Sequence, residues 1–586
     1  MTLHFDFIKE LENIISNHIE EAGIEADKFQ AMVQPADPRF GDFQANGAFA
    51  YAKQIKKNPR EVATKLLECL KKSPQLPSDS VDIQIAGPGF INFKFSPQYL
   101  LNWLQHYHSE TSLRDQTSTT FENKKVVVDF SSPNTAKQMH VGHIRSAIIG
   151  ETICRLLSFS GATVIRDNHI GDWGTQFGIL TLAIKKNNFS FDDAENALEE
   201  IEDLYREGNK AAKEDDDTLN AARQELVKLQ NGDSENLAIW KKINEISYKA
   251  FDKIYKTLDV TFDHVLGESH YRDQVDRVYK ELADLNIAEE SDGALVVFHK
   301  NHPRFAKQPF IIRKKDGASN YGTTDLATVL FRKEEWEADK IVYVTDGRQQ
   351  DHFEQLFLTV NKWFEANKQI VPNLTHVWFG TILGSDGKAI KTRDGSPILL
   401  KDLLNEAVER ALAIVSEKNP DLSPDEQKSI ATTVGLAAVR YADLSQNRTS
   451  DYVFEWDKIL SFEGNTAPYL LYAVARIHSI FRKLELQPGE NEDAATAFET
   501  DEEIALARKI MAYPVTLNQT ITDLKPHFLC TYLYQLAGTF SSFYNSNKVN
   551  VEDPAIKSRR LILCSRTLTL LKTNLKLLGI ETIERM

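Results

Sequence analysis

The residues of this chain best placed to do chemistry are two histidines and a lysine that follow a β-branched run. Val126-Val127-Val128-Asp129-Phe130 reads as a strand, Ser131-Ser132-Pro133-Asn134 as a tight loop, and Ile144 to Phe159 as an apolar-periodic helix. Between them run Thr135, Ala136, Lys137, Gln138, Met139, His140, Val141, Gly142 and His143. His140 and His143 are three apart where the helix begins, so their side chains share a face. A helix N-terminus carries partial positive charge and free N–H groups, which suits a phosphate. Two imidazoles and Lys137 add directional donors, and Gly142 leaves room for a flat ring such as adenine to approach the backbone. The segment therefore predicts a nucleoside triphosphate held at a strand–helix junction. A lone His-x-Gly-His also arises by chance in helices, so its surroundings decide its meaning.

Those surroundings are specific. Ser131-Ser132-Pro133-Asn134-Thr135-Ala136-Lys137 resembles the loop before the "HIGH" signature of class I aminoacyl-tRNA synthetases, and within that class it is most similar to the arginyl enzymes of bacterial type. The "HIGH" region is then Pro133 to His143. A second phosphate-handling segment lies downstream, Gly384-Ser385-Asp386-Gly387-Lys388-Ala389-Ile390-Lys391-Thr392-Arg393-Asp394-Gly395. Its lysines are compact point charges suited to polyphosphate, although a Gly/Lys-rich surface turn has the same composition. Lys388, Lys391 and Thr392 match the Lys-x-x-Lys-Ser/Thr pattern of the class I "KMSKS" loop. The implied reaction is adenylate formation, in which positioning and charge stabilisation dominate. By the resemblance His140, His143 and Lys137 serve the α-phosphate, and Lys388 and Lys391 follow the leaving phosphates with Mg²⁺ screening them. Pro133, Gly142 and Thr392 join His143 and the two lysines in contacting ATP. No Ser/His/Asp or Cys/His set demands a protein nucleophile.

A guanidinium is planar with five donors and pairs best with carboxylates. Three segments that resemble the arginyl family offer such acceptors: Gly267-Glu268-Ser269, Tyr321-Gly322-Thr323-Thr324-Asp325 and Arg348-Gln349-Gln350-Asp351-His352. The resemblance assigns Glu268, Tyr321, Asp325 and Gln349 to the guanidinium and α-amino group, and Ser132 and Asn134 to the amino-acid backbone. Any one of these acids alone reads equally as an N-cap or a surface charge. A site built for five donors rejects lysine without editing, because lysine leaves acceptors unpaired.

The elements that must carry these residues follow from the wider chain. Its 586 residues predict three to five domains at about 150 residues each. No apolar run approaches the roughly 20 residues of a membrane span, and the opening residues Met1 to Asp6 do not read as a signal peptide. The four cysteines, Cys69, Cys154, Cys530 and Cys564, are far apart and unpaired in CxxC, which argues against a structural metal and fits a reducing cytoplasm. The formal charge of −15 opposes nucleic-acid binding in bulk. The acidic excess is partly local, however, in 192–217 and 490–503. Residues 548–586 are basic by four, through Lys548, Lys557, Arg559, Arg560, Arg566, Lys572, Lys576 and Arg585 against Glu552, Asp553, Glu581 and Glu584. Such a face is either a nucleic-acid footprint or a solvated helix surface.

The predicted fold class is α/β. Residues 1–112 read as an α+β domain, with helices at Phe5 to Ala22, Gln44 to Lys53 and Glu61 to Lys72. Strands follow at Val81 to Ile85 and Phe90 to Phe95 around Ala86-Gly87-Pro88-Gly89, and His106 to Asn123 reads as a linker. Gly41 to Gly47 and Ala86 to Asn92 resemble the N-terminal add-on of the arginyl family, which implies tRNA contact. Residues 113–400 alternate strand and helix as a doubly wound, Rossmann-like catalytic domain. A charged helical insertion at about 189–258 interrupts it and offers few chemical candidates. Residues 401–586 read as an all-α bundle, with one helix spanning Trp456 to Leu484. Asp443 to Arg448, Phe462 to Ile477 and the final Leu577 to Met586 resemble the family's helical anticodon-binding domain. Tyr472, Tyr532, Tyr534 and Tyr544 are candidate base-stacking residues, with core packing the commoner role for helical aromatics.

The resemblance implies an arginine–tRNA ligase that uses ATP with Mg²⁺, L-arginine and tRNA(Arg), needs tRNA before it activates arginine, and works as a cytoplasmic monomer without a membrane or a structural metal. Two rivals share parts of the pattern. Small nucleotidyl transferases also use His-x-Gly-His but lack the long helical C-terminal region. A catalytically silent tRNA-binding relative would not need His140, His143, Lys388 and Lys391.

Overall fold

The computed structural model describes residues 2–117, 119–191, 196–315, 321–391 and 397–586. The chain divides into two compact units, one of Met1–Thr117, Ser461–Lys576 and Ile580–Met586, the other of Ser118–Leu460 and Leu577–Gly579.

The second unit is organised by a five-stranded parallel sheet. Its strands are β1 (Lys125–Phe130), β2 (Thr163–Asn168), β3 (His264–Val265), β4 (Lys340–Val344) and β5 (Asn373–His376), in spatial order β5-β4-β1-β2-β3. The chain winds outward from β1 in one direction and returns to wind in the other, so β1 and β4 flank a topological switch point. Ligands of such sheets bind beyond the carboxyl ends of the strands at that point. Val126, Val127, Val128 and Phe130 are fully buried, as expected of a strand covered on both faces. Helix α1 (Gly142–Phe159) follows β1, and almost every residue along it is buried, including Arg145 and Glu151. Arg145 is neutralised inside by Asp443 at 2.9 Å and lies over the rings of Phe379 and Tyr452.

The expected insertion is helical, with helices at Ala197–Glu214, Asp216–Gln230 and α2 (Ser234–Thr257). The sequence pattern did not reveal the small antiparallel sheet of Glu289–Ser291, Ala294–Val297 and Phe310–Arg313 that follows. Its short strands have too few residues for alternation to show. Helices α3 (Tyr321–Glu334) and α4 (Gln350–Ala366) flank β4 in sequence. Helix α5 (Pro424–Leu444), opened by a Ser423/Glu426 capping box, belongs to this unit. So do Asp443 to Arg448, which the sequence had suggested for the anticodon-binding region: Asp443 is committed to Arg145 on α1, and Arg448 donates to the Trp378 carbonyl.

The first unit joins the two ends of the chain. A four-stranded antiparallel sheet in the order Val33–Pro35, Phe43–Ala45, Phe90–Phe95, Val81–Ala86 packs with helices that include Phe7–His18 and Pro59–Leu70. Phe43–Ala45 is a strand where a helix was expected, with the helix starting only at Gly47. The stretch read as a linker holds the end of one helix, Pro97–His106, and a second, Glu110–Thr117, which buries Leu113 and Thr117. The C-terminal helices Ala467–Lys483, Asp501–Met511, Tyr513–Asp523, His527–Ser546 and Pro554–Leu577 complete the unit. The single helix expected from Trp456 to Leu484 is broken. Trp456–Ile459 is one short turn, and the chain restarts at Ala467 with Thr466 as N-cap. Pro468 enforces this, because inside a continuous helix it would forfeit a hydrogen bond and clash with the preceding turn. Asp42 ties the two ends by accepting from the Phe95 N–H at 2.7 Å and pairing with Arg508 at 2.8 Å.

Within the catalytic sheet lies a fully buried ion triad. Arg332 near the end of α3 reaches Asp129 of β1 at 2.6 Å and Asp167 of β2 at 2.7 Å, with the Tyr343 ring 5.3 Å from its guanidinium carbon. Arg332→Met leaves two buried carboxylates unpaired, which costs about 3–5 kcal/mol. Urea unfolding should show that loss, and it should ease as the pH is lowered, because protonation neutralises the stranded acids.

Candidate active site

The loop after β1 is strained and closely held. Ser131, Ser132 and Ala136 all adopt left-handed backbone, with φ of 71°, 46° and 65°, each costing about 1–3 kcal/mol for a residue other than glycine. The Ser131 N–H donates to Ser146 Oγ at 2.8 Å, the Ser132 N–H to Asn168 Oδ1 at 3.0 Å, and the Ser132 hydroxyl to Asp129 Oδ1 at 3.0 Å. Pro133 and Thr135 exchange backbone hydrogen bonds with Gly171. A Cβ on Gly171 would lie 1.9 Å from Asn134 Oδ1, so only glycine lets the Asn134 side chain sit where it does.

The signature histidines meet as predicted, with ring centroids 4.0 Å apart. Only His143 is helical, since α1 begins at Gly142, and His140 forms a bridge with Leu399. The backbone sets the tautomer of His140. The Gly142 N–H donates to His140 Nδ1 at 3.1 Å, so that ring carries its proton on Nε2. His143 Nδ1 faces the His140 backbone, 3.0 Å from its N–H and 3.3 Å from its carbonyl. Burial lowers the pKa of His140, and burial with a further push from His140 drops His143 to about 3. Both are neutral N–H donors near pH 7. Gly142 also makes room for the histidine ring, since a Cβ there would lie 2.8 Å from His140 Cε1. Lys137 lies over the Tyr205 ring at 5.3 Å, and the Gln138 N–H donates to Glu202 at 3.1 Å.

The lysine loop returns to this place. Ile382–Leu383 leads out and residues 389–391 lead back, with the Gly384 N–H donating to the Lys388 carbonyl at 2.8 Å. Beyond it the Val141 N–H donates to the Ile398 carbonyl and the Leu400 N–H to the Met139 carbonyl, both at 2.9 Å. The loop is thus anchored one residue either side of His140. Lys388 and Lys391 are exposed and have no ion-pair partner among the described residues, while Thr392 lies outside the described residues.

The carboxylates also converge. Glu268 opens a 3-10 turn, its N–H donating to the Ile170 carbonyl at 3.0 Å. Burial, then Asp325, then Asp172 push its carboxyl up to about 8. Asp172 accepts from the Ser269 N–H at 2.9 Å and hydroxyl at 2.6 Å, yet burial still raises its pKa. Tyr321 opens α3 and Asp325 follows one turn later. Tyr321 is 69% exposed, and partial desolvation with Glu268 and Asp325 raises its phenol. Asp325 pairs with His352 at 2.6 Å, and although burial pulls that imidazole down, Asp325 raises it on balance. Three clustered acids thus face two imidazoles, His352 at Asp325 and His169 near Asp172, a deficit of positive charge. Ile170-Gly171-Asp172 links the two halves, because its members touch Glu268, Asn134 and Ser269 in turn. Gln349 sits exposed in the turn before α4 with no side-chain contact to the other acids' cluster described. Sequence reasoning missed Asp172, His352 and Asn168, although Gly171-Asp172 follows the carboxyl end of β2, where such residues gather. Among the described residues no group of three His, Cys, Asp or Glu side chains is disposed to hold a metal.

Residues 108–456 match the family described as tRNA synthetases class I (R), catalytic domain, residues 470–586 the DALR anticodon binding domain, and residues 9–95 the arginyl tRNA synthetase N terminal domain. The arginine–tRNA ligase of Chromobacterium violaceum is 42% identical over 563 residues, spanning 95% of this chain and 96% of that one. The chain belongs to the arginyl-tRNA synthetase family. The solved arginyl-tRNA synthetase of Plasmodium falciparum shares 30% identity and a TM-score of 0.83, with each chain covered in full. That of Thermus thermophilus, at 24% identity, shares the fold with a TM-score of 0.80 over 99% of this chain and 100% of that one.

In this synthetase the basic C-terminal segment is largely spoken for. Arg559 pairs with Glu499 and Glu503, Arg560 with Glu503, Arg566 with Glu492, and Lys576 with Glu110. Half of the eight cations therefore neutralise the unit's own acids. The candidate tyrosines divide as well. Tyr532 is buried and donates to the Lys509 carbonyl, Tyr472 and Tyr534 are exposed, and Tyr544 lies under Arg476 at 4.6 Å.

Gly171→Ala should displace Asn134 and cost the synthetase tenfold or more in arginine-dependent ATP–pyrophosphate exchange, about the penalty of a 1 Å misplacement. Overpacking should cost only about 1–3 kcal/mol of stability, so activity should fall in a variant that circular dichroism still finds folded.

Proposed function

We propose that the neutral imidazole pair, the anchored lysine loop and the three-acid pocket form one centre that joins ATP to L-arginine and passes the arginyl group to tRNA(Arg). The chain is an arginine–tRNA ligase of class I. An arginine carboxylate oxygen attacks the α-phosphorus of ATP, the new O–P bond replaces the bond to the β-phosphate, and pyrophosphate leaves. A ribose hydroxyl at the 3′ end of tRNA then attacks the arginyl carbonyl and AMP departs.

The observation that carries this reading is the excess of carboxylates at Glu268, Asp325 and Asp172. A cluster that cannot ionise fully alone suits a ligand bringing a permanent, planar cation. Glu268, Asp325, Tyr321 and Gln349 read the guanidinium and α-amino group, while Ser132 and Asn134 hold the backbone. Above them the neutral imidazoles of His140, through its Nε2–H, and His143 face phosphate, Lys137 adds charge, and Gly142 and Pro133 shape the wall against ATP. Neutral donors suit the α-phosphate because they bind charge as it develops without trapping the product. Lys388 and Lys391, with Thr392, meet the departing phosphates. Mg²⁺ bound with ATP would supply further positive charge at the phosphates, beside Lys388 and Lys391. Four buried cysteines in the thiol form suit a reducing compartment, and no helix of the described residues is long and apolar enough to cross a membrane. A monomer in the cytoplasm is the state we assign.

The deciding assay is ATP–pyrophosphate exchange with arginine, with and without tRNA. Exchange requiring both is expected, and exchange absent with arginine in either condition overturns the assignment. Arginine binding should also release a proton. With Glu268 near 8 in the free site, the carboxyl is mostly protonated at pH 7 and must ionise to pair. Affinity should therefore rise about tenfold per pH unit up to about 8 and then level off. Calorimetry in buffers of different ionisation heat reads the proton directly, and a flat profile from pH 6 to 9 removes Glu268 from this role.

A further inference from the structure

Helix α2 belongs to the insertion that offered few chemical candidates in sequence, yet it presses two hydroxyls onto the strained loop. Ser247 and Tyr255 lie eight residues apart on one helical face, and both are buried. The Ala136 N–H donates to Ser247 Oγ at 3.0 Å, and the Ser247 hydroxyl spends its own proton on the Ile243 carbonyl at 2.8 Å. Tyr255 is more central. Asn168 uses Oδ1 to accept from the Ser132 N–H at 3.0 Å, so its Nδ2 donates to the Tyr255 oxygen at 3.1 Å. The phenol proton is then free for Ser131 Oγ, 2.8 Å away. Burial pushes the phenol up to about 12, so that proton stays in place. The three residues of the loop in left-handed backbone, Ser131, Ser132 and Ala136, are thus each held by a group that α2 supplies or orients. Near the other end of α2 the Trp240 indole donates to the Asp172 carbonyl at 2.7 Å, beside the acid cluster.

We propose that α2 is a working part of the active site, with Tyr255 and Ser247 as positioning residues that hold Ser131 to Ala136 in the geometry adenylate formation requires. The proposal rests on the reading of that loop as the site where ATP and arginine meet. A helix that served only to cover the loop would need apolar contact alone. Two hydroxyls aimed at the residues under strain prevent the loop from relaxing to ordinary backbone, which would swing Ser132 and Asn134 away from the substrate and shift His140 behind them.

The test uses the full-length enzyme with arginine, ATP and tRNA. Tyr255→Phe keeps the ring and removes one oxygen, and Ser247→Ala removes the other. Each should lower kcat about tenfold or more, with KM for arginine and ATP changed less than threefold and the thermal midpoint shifted by a few degrees at most. Val415→Ala, which trims the buried face of the helix Leu400–Lys418 and touches none of the hydrogen bonds of the loop, serves as the stability control and should keep its kcat. The proposal is overturned by kcat within twofold of wild type in both variants, by a KM rise with kcat preserved, or by an equal kcat loss in Val415→Ala. His143→Ala separates the two levels. If it is fully active, the reading of the loop itself fails. If it is inactive while Tyr255→Phe and Ser247→Ala are normal, only the positioning role fails.

Discussion

The catalytic unit depends on an arginine with no access to solvent. Arg332 neutralises Asp129 on β1 and Asp167 on β2, the two central strands whose carboxyl ends carry the site. A charge is expensive to bury unless it is paired and hydrogen-bonded, so these three groups are stable only together and fix the relative positions of β1, β2 and α3. The consequence reaches the substrate directly. Asp129 spends its other oxygen on the Ser132 hydroxyl, and α3, which ends near Arg332, begins with Tyr321 and Asp325. One buried ion triad thus ties the loop that carries Ser132 to the helix that carries Tyr321 and Asp325, the two segments proposed to hold the amino acid.

Around that frame the two groups of residues proposed to meet the substrates differ in electrostatics. At the histidine pair burial strips His140 and His143 of charge, and the Gly142 N–H leaves the His140 proton on Nε2. Fixed dipoles of this kind need no reorganisation when charge develops. At the acid cluster burial and mutual repulsion leave Glu268 unwilling to ionise alone. Burial, which raises a carboxyl and lowers an imidazole, prepares one half for an anion through neutral donors and the other for a cation through acids awaiting a partner.

Backbone strain is the third element. Left-handed residues cluster at functional loops where the surroundings over-determine them, and here the surroundings include Asn168, Ser146 and the insertion helix. Glycine supplies space at two points of close approach. Gly171 admits Asn134, and Gly142 admits His140.

Much of this was legible in the sequence. The β-branched run ending in Ser-Ser-Pro-Asn, the His-x-Gly-His and the paired lysines are local patterns, and local patterns need only neighbours in the chain. The α/β alternation of the catalytic region was readable for the same reason, because buried strands and amphipathic helices each have their own period. What the tertiary structure alone decided are the long-range partners. Asp172 beside Glu268, His352 on Asp325, Arg332 between two strands, Tyr255 on Ser131 and the internal neutralisation of Arg559, Arg560 and Arg566 all join residues far apart in sequence. A carboxylate or a guanidinium looks the same in sequence whether it faces water or a buried counter-charge. Only packing sets its desolvation and its partner, and those two quantities decide whether it is surface, scaffold or site.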